Sequence, residues 1–297
     1  MAQSSTRLTR RRFLQLMAAG AAGIAGSGAL TGFYSWLIEP FWIDCTRLRI
    51  SVRGWSPPRP LRIVHVTDLH LSDIIPVRYL VRAIELAVSF APDILAVTGD
   101  LITNDAQLYL PDLQRIMRGA RAKLGVLAVF GNHEYGVWRA SGKQFEPDRS
   151  ELIARILADS GIQTLNNQRL DYADASFEVI GVDDLWAGKA TAGTLLAQST
   201  PRTPDKARIV LCHNPDLAQV LAPHADLILA GHTHGGQVVV PFFGPPLLPV
   251  NNRTYAAGLF AIDHCQLYVN RGLGYLKQIR FRCRPEIVVV DVQGQDS

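Results

Sequence analysis

The chain has 297 residues, 30 Lys and Arg against 26 Asp and Glu, and a formal net charge of +4. The basic excess belongs to residues 1–60, which hold 8 Arg and 2 acids, so that 22 basic and 24 acidic residues remain in residues 61–297. A nucleic-acid-binding domain concentrates basic residues on its folded surface, and this distribution argues against one. Residues 61–297 are of the right length for a single α/β domain.

The chain begins with a segment typical of export or membrane anchoring. Four arginines within residues 7–12 precede residues 13–38, which are Ala- and Gly-rich and carry no charge. Such a stretch exceeds the roughly 20 residues that cross a bilayer, and paired arginines before Phe13 and Leu14 resemble a twin-arginine leader. A small-residue cleavage site fits only at residues 19–21, early in the apolar stretch, which favours an uncleaved anchor.

The leader also predicts a location. Arginines before an apolar span stay on the cytoplasmic side, so residues 1–40 would leave the rest of the chain on the outer face of a bacterial cytoplasmic membrane. Residues 41–60, with their prolines, are predicted as a tether with a first strand at 47–52.

Residues 61–297 alternate between strand and helix patterns. Helical periodicity is found at 77–90 and 150–160. Apolar runs predict strands at 62–67, 94–98, 126–130, 208–212 and 227–230, followed by further strands at 238–240, 258–262, 266–270 and 287–292. This order predicts one α/β unit.

Polar residues of ligand type follow five of these strands. They are Asp68 and His70, Gly99-Asp100, Gly131-Asn132-His133-Glu134, His213, and His232 with His234 in the sequence GHTHGGQ. In an extended segment, residues i and i+2 point the same way, so His232 and His234 can converge. Because open α/β sheets bind ligands beyond the carboxyl ends of their strands, one site drawn from all five loops is predicted.

This ordered set of blocks resembles the calcineurin-like metallophosphoesterases. The GHTHGGQ block and the later Asn270-Arg271-Gly272-Leu273-Gly274 resemble the membrane-associated bacterial branch of that family. The resemblance implies a four-layer αββα sandwich, with two mixed sheets packed face to face between outer helices.

The resemblance also implies a dinuclear metal site. Seven residues would hold the two ions: Asp68, His70 and His234 on one, Asn132, His213 and His232 on the other, and Asp100 bridging both. Nitrogen and oxygen ligands without thiolate suit Mn, Fe, Zn or Mg, and the sequence does not distinguish among them. His133 matches the general acid or phosphate-positioning histidine of the family. Its neighbour Glu134, where many relatives have Asp, would orient it.

Two segments outside these blocks have alternative interpretations. Arg280, Arg282 and Arg284 would share one face of a strand, either protecting an edge or contacting anionic lipid or phosphate. Residues 241–249 form a proline-rich loop whose Phe and Leu side chains either cap the core or rest on a bilayer.

Other polar residues and the cysteines support weaker interpretations. His65, in the middle of a strand, is expected in the core, and Asp183-Asp184 would either form a plain turn or line the substrate side. The spacing of the four cysteines is not that of a zinc ribbon, and a bridge between Cys265 and Cys283 is left open.

The leading functional interpretation is a metal-dependent phosphoesterase that hydrolyses a phosphodiester, pyrophosphate or phosphomonoester, with a lipid-linked substrate at the membrane. A phosphodiesterase for soluble nucleotides is the alternative enzyme. A metal-free binding module on the same fold is the non-enzymatic alternative, which the complete ligand set disfavours.

Overall fold

The computed structural model describes residues 9–53, 55, 59–103, 106–172, 177–191 and 206–294. The first element is a long helix, α1 (Arg10–Phe33), which the Thr9 hydroxyl caps by accepting from the Arg12 amide. It continues through a π turn (Tyr34–Ile38) and a 3-10 turn (Glu39–Phe41). Arg7, the first of the leader arginines, lies outside the described residues.

Within the described residues, the strands form two sheets of six. The first comprises β1 (Asp44–Val52), β2 (Leu61–Val66), β3 (Ile94–Thr98), β4 (Gly125–Val129), β5 (Ile162–Thr164) and β12 (Glu286–Gly294). The second comprises β6 (Gln168–Tyr172), β7 (Phe177–Gly181), β8 (Ala207–Leu211), β9 (Leu227–Ala230), β10 (Gly258–Ile262) and β11 (Cys265–Val269).

The strand order is β1-β12-β2-β3-β4-β5 in the first sheet and β10-β11-β9-β8-β7-β6 in the second. In the first sheet β2 to β5 are parallel, and β12 is antiparallel to β2. In the second, β7, β8, β9 and β11 are parallel and the edge strands β6 and β10 run antiparallel to them. Both sheets are therefore mixed, as expected, and each has a parallel centre whose carboxyl ends share one edge.

Three apolar layers hold the sheets and helices together. The inner core lies between the sheets and joins residues such as Ile63 and Leu127 of the first to Ile209 and Leu229 of the second. Helices α2 (Val77–Ser89), α3 (Ala106–Met117) and α4 (Ser150–Asp159) pack on the outside of the first sheet. The short α5 (Ala218–Leu221) and its flanking turns cover the second sheet. The predicted αββα architecture is confirmed.

The structure differs from the sequence-based prediction in two places. The segment expected to precede the globular unit contains β1, which pairs with β12 from Asp44 to Val52, so the boundary at residue 61 falls between two strands of one sheet. The prediction of a strand at 238–240 is wrong, because Val238 and Val240 form only isolated bridges, with Phe281 and Gly244.

Candidate metal centre

The five polar blocks meet at one place. The loops after β2, β3 and β4 of the first sheet face those after β8 and β9 of the second. The inner strands are buried on both faces, as in β3 and β8, where all five residues are buried. Their polar residues therefore first appear where the strands end. Residues far apart in sequence become neighbours for this reason.

Asp68, His70 and His234 form the first cluster, and all three are buried. The Nε2 atoms of His70 and His234 lie 2.9 Å apart. The Oδ1 atom of Asp68 is 3.3 Å from Nε2 of His234 and 3.8 Å from Nε2 of His70. Its Oδ2 atom accepts from the His232 amide at 3.0 Å and the Thr67 hydroxyl at 2.8 Å, which directs Oδ1 toward the imidazoles.

Asp100, His213 and His232 form the second cluster, also buried. Oδ2 of Asp100 lies 3.2 Å from Nε2 of His213 and 3.4 Å from Nε2 of His70, which belongs to the first cluster. One carboxylate oxygen therefore lies between the two clusters. A residue that bridges two metal ions must occupy this position.

Backbone carbonyls fix the ring nitrogens of the second cluster. Nδ1 of His213 is 2.7 Å from the Thr98 carbonyl, and Nε2 of His232 is 2.9 Å from the Pro249 carbonyl. A carbonyl only accepts, so both of these nitrogens carry protons. The opposite nitrogens then face each other, and such outer hydrogen bonds are what orients histidines that bind metal.

Two buried oxygens at the site lack hydrogen-bond partners among the described residues. They are Oδ1 of Asp68 and Oδ1 of Asn132. The Asn132 amide nitrogen donates to the Val137 carbonyl at 2.6 Å, which leaves its oxygen as the group available to a ligand. An unsatisfied buried acceptor costs about 1–3 kcal/mol, and a cation satisfies it. These residues can thus hold divalent metal.

Burial sets the protonation of the site. It lowers the pKa of His70 and His232 to about 3, which keeps them as neutral, ligating imidazoles. It raises the pKa of Asp68 to about 7, a cost to the carboxylate that a cation offsets. Burial also opposes charge on Asp100 and His213, but their mutual attraction outweighs it, so the pKa of Asp100 falls and that of His213 rises.

The backbone of the site is strained. Five of the seven residues have a left-handed φ: Asp68, His70, Asp100, His232 and His234, between 47° and 70°. This conformation costs non-glycine residues roughly 1–2 kcal/mol each, and such strain concentrates at functional sites. Gly231 permits the close approach, since a Cβ there would lie 2.4 Å from Oδ2 of Asp68.

Comparisons with known proteins agree with this geometry. Residues 61–236 match the model of the calcineurin-like phosphoesterase family, a region that spans more than half of the chain. The chain belongs to this family. It is therefore a hydrolase of the metallophosphoesterase type, as the ordered polar blocks predicted.

Three relatives are similar over nearly their full lengths. The phosphodiesterase YaeI of Escherichia coli is 33% identical over 288 residues, covering 96% of this chain and 99% of the relative. The uncharacterized metallophosphoesterase YkuE of Bacillus subtilis is 31% identical and covers 97% of this chain and 99% of the relative. The UDP-2,3-diacylglucosamine pyrophosphatase LpxG of Chlamydia muridarum is 27% identical, with 90% and 94% covered.

In this metallophosphoesterase, His133 lies beside Asp100. Its Nε2 atom is 4.0 Å from Oδ2 of Asp100, and its amide donates to Oδ1 of Asp100 at 3.0 Å. Its Nδ1 atom is 3.0 Å from the Thr103 carbonyl, so Nδ1 carries a proton and Nε2 faces the site. Trp138, two-fifths exposed, stacks on the ring with centroids 5.8 Å apart.

The expectation that Glu134 orients His133 is wrong. Its carboxylate accepts instead from the amides of Asp100 at 3.0 Å, Leu101 at 2.7 Å and Gly131 at 2.7 Å. Glu134 thus holds the β3 and β4 loops together. The Thr103 carbonyl orients His133, and a backbone group leaves no signal in the sequence.

The expected basic face of Arg280, Arg282 and Arg284 is also wrong, because residues 277–285 form no strand. Arg280 is completely buried and donates to the carbonyls of Cys283, Arg271, Gly272 and Gly274. It braces the segment at residues 270–274 against the Asp68 loop, where Gly274 donates to the Asp68 carbonyl at 2.6 Å. The sequence of residues 270–274 resembles a family block, but it does not indicate this bracing contact.

The weaker candidates have structural partners. Nε2 of His65 lies 2.8 Å from the Thr98 hydroxyl in the core, as expected. Asp183 accepts from the Tyr135 hydroxyl at 2.6 Å, and Asp184 from the Ala187 amide at 2.7 Å. Cys265 and Cys283, both within the described residues, are not joined by a disulfide.

Proposed function

We propose that this protein is a dinuclear metal-dependent phosphoesterase acting on a lipid-linked phosphodiester or pyrophosphate at the bacterial cytoplasmic membrane. The observation that carries the proposal is the position of the Asp100 carboxylate between two clusters of buried imidazoles and carboxylates. Asp68, His70 and His234 would hold one ion, and Asn132, His213 and His232 the other, with Asp100 shared.

The ions belong to the Mn, Fe, Zn or Mg class because every ligand is nitrogen or oxygen. When bound, two such ions neutralise the phosphoryl oxygens and make a nucleophile available at neutral pH. The chain itself supplies the rest of the chemistry. His133, with Nδ1 held by the Thr103 carbonyl, presents Nε2 to the site and donates a proton to the leaving oxygen.

Two observations support a lipid-linked substrate. LpxG is similar to this chain over 94% of its own length and 90% of this chain. Its name is that of a pyrophosphatase for a diacylated sugar nucleotide. The helix α1 is long and apolar enough to cross a membrane, and the arginines at its start would keep that end in the cytoplasm. The catalytic domain would then work on the outer face, with the twin-arginine-type leader as its export signal and anchor.

A second function, hydrolysis of soluble nucleotides, is favoured by Trp138. This indole stacks on both His133 and Phe145, and its remaining exposed part can contact an aromatic base edge-to-face. Both functions use the same metal centre and differ only in the organic group.

The test compares turnover of a long-chain phosphodiester carried in vesicles with that of its short-chain soluble analogue, using the full chain and Asp100→Asn as the blank. A lipid-linked substrate predicts a several-fold preference for the vesicle-borne form. Equal rates, with a marked loss on nucleotides for Trp138→Ala, would establish the nucleotide alternative. If the protein binds metal but hydrolyses neither substrate, the result would favour the non-enzymatic binding module.

A further inference from the structure

An apolar surface surrounds the junction between α1 and the catalytic domain. Phe242 and Phe243 form the tip of a tight turn in which the Gly244 amide donates to the Val240 carbonyl at 2.9 Å. Phe242 is fully exposed and has a left-handed φ of 69°, and Phe243 is 87% exposed. Leu247 follows at 78% exposure. The sequence left open whether these side chains turn inward, and the structure places them in solvent.

A second exposed loop is joined to the first. Leu276 and Ile279 are both exposed. The side-chain amide of Gln237 donates to the carbonyls of Lys277 and Ile279 at 3.0 Å each. The Val239 amide donates to the Phe281 carbonyl at 2.9 Å. The two loops are thereby fixed to one another.

The membrane-type helix ends on the same loops. The Gln278 side chain donates to the Trp36 carbonyl at 3.0 Å, and the Arg280 amide donates to the Ser35 carbonyl at 2.9 Å. Buried Glu39 accepts from the Cys283 amide at 2.5 Å. Because these residues are built into the domain, the end of α1 has a fixed position relative to both loops.

The helix identifies what covers this surface. Its large apolar side chains, such as Phe13, Met17 and Leu30, are exposed, and they surround the helix rather than forming one stripe. A helix that is apolar all round is buried in a protein core or in a membrane, and none of the described residues forms a core over it. The exposed apolar surface continues from the helix through Trp36 to the two loops, so a bilayer that holds α1 meets the loops as well.

The charges around the surface fit an anionic bilayer. Residues 34–43, 238–249 and 276–284, all of them described, contain one acid, the buried Glu39. Lys277 and Arg282 are exposed there, and the Arg284 guanidinium lies 3.6 Å from the centre of the Trp42 ring. Tryptophan and basic side chains at the end of an apolar segment are typical of the headgroup layer.

We propose that the turn at 240–244, Leu247 and the loop at 276–279 insert into the outer layer of an anionic phospholipid bilayer beside α1. This seats the domain in one orientation. The segment that contains the turn at 240–244 and Leu247 then reaches the candidate metal centre, where the Pro249 carbonyl accepts from Nε2 of His232. The proposal goes beyond the proposed function, because insertion does not require hydrolysis and is measured without it.

The experiment uses the full chain in vesicles of phosphatidylethanolamine and phosphatidylglycerol, with Cys45→Ser to remove the accessible thiol. An environment-sensitive fluorophore is placed at Phe242→Cys, and at the exposed Val220→Cys of α5 as the control. Insertion predicts several-fold weaker quenching by aqueous iodide at 242 than at 220, together with strong quenching by lipids spin-labelled near the headgroup. Equal iodide quenching at both sites would overturn the proposal.

Two further measurements complete the test: one removes the apolar side chains of the turn, and the other lowers the number of chains per vesicle. With the fluorophore at Leu247→Cys, the Phe242→Ser, Phe243→Ser double variant should increase iodide quenching, whereas Leu108→Ser, a polar change at an exposed position of α3, should not. A second copy of the chain could also shield the loop. Shielding that disappears below one chain per vesicle would assign the surface to self-association and refute bilayer insertion.

Discussion

The Nε2 atom of His213 lies 3.0 Å from the Nδ1 atom of His232, although neither residue is near the other in sequence. Each ring donates through its opposite nitrogen to a backbone carbonyl. Nε2 of His213 and Nδ1 of His232 therefore face each other in a buried space. Burial opposes charge on His213, but Asp100 raises its pKa, which favours a proton between the two rings. A metal ion would take the place of that proton and hold both rings, so much of the stability of the site should depend on metal.

Removal of metal is expected to destabilise the protein. Chelation should lower the melting temperature, and Mn, Fe, Zn or Mg at about 100 times its Kd should restore about 2.7 kcal/mol of stability. Thermal unfolding in detergent, followed with each ion in turn, measures this. A melting temperature that responds to none of the four ions would argue against the metal centre.

Asp100→Asn should lower turnover by about 100-fold or more, because the amide removes the charge shared by both clusters and electrostatic stabilisation is commonly the largest catalytic contribution. Asp263→Asn is the matched control. Asp263 has the same φ of 52° as Asp100 but is exposed in the turn between β10 and β11. Comparable losses in the two variants would mean that the substitution acts through the backbone.

His133→Ala should retain both metals and lose roughly 100- to 10,000-fold in rate, since its Nε2 atom supplies the proton to the leaving oxygen. The loss should be larger for alkyl than for nitrophenyl leaving groups. Rates across a series of leaving groups, with metal content measured alongside, test this. A uniform loss would instead make His133 a residue that positions the phosphate.

Glu134→Gln should reduce stability by about 1–3 kcal/mol, because an amide cannot accept from three backbone N–H groups as the carboxylate does. Denaturant unfolding of the variant and the parent gives the difference. The leaving-group dependence of the rate should stay as in the parent. If that dependence changed as in His133→Ala while stability held, Glu134 would orient His133 after all.

Arg280→Lys should cost about 3–5 kcal/mol, since lysine leaves a buried charge without the forked donors that reach four carbonyls. Arg282→Lys is the control on an exposed neighbour and should be nearly neutral. Unfolding of both variants in the same detergent provides the comparison. Equal stabilities would contradict the bracing role and revive a surface role for Arg280.

The sequence determined the parts of this protein that depend on local pattern. Apolar runs that end in Asp, His or Asn located the strands and the five polar blocks, because a buried strand exposes polar side chains only where it stops. The same five polar blocks resemble those of the calcineurin-like metallophosphoesterases, and this resemblance predicted the αββα architecture. A charge-free stretch after arginines likewise located α1.

Only the tertiary structure decided what distant partners impose. Glu134 binds amides 33 and 34 residues away in place of its neighbour His133, and Arg280 turns inward to carbonyls instead of joining Arg282 on a surface. The sequence also could not show that Phe242 points outward or that Ser35 and Glu39 are built into the domain. The direction of a side chain depends on which carbonyls and amides the fold brings within reach, and a neighbouring sequence position does not contain that information.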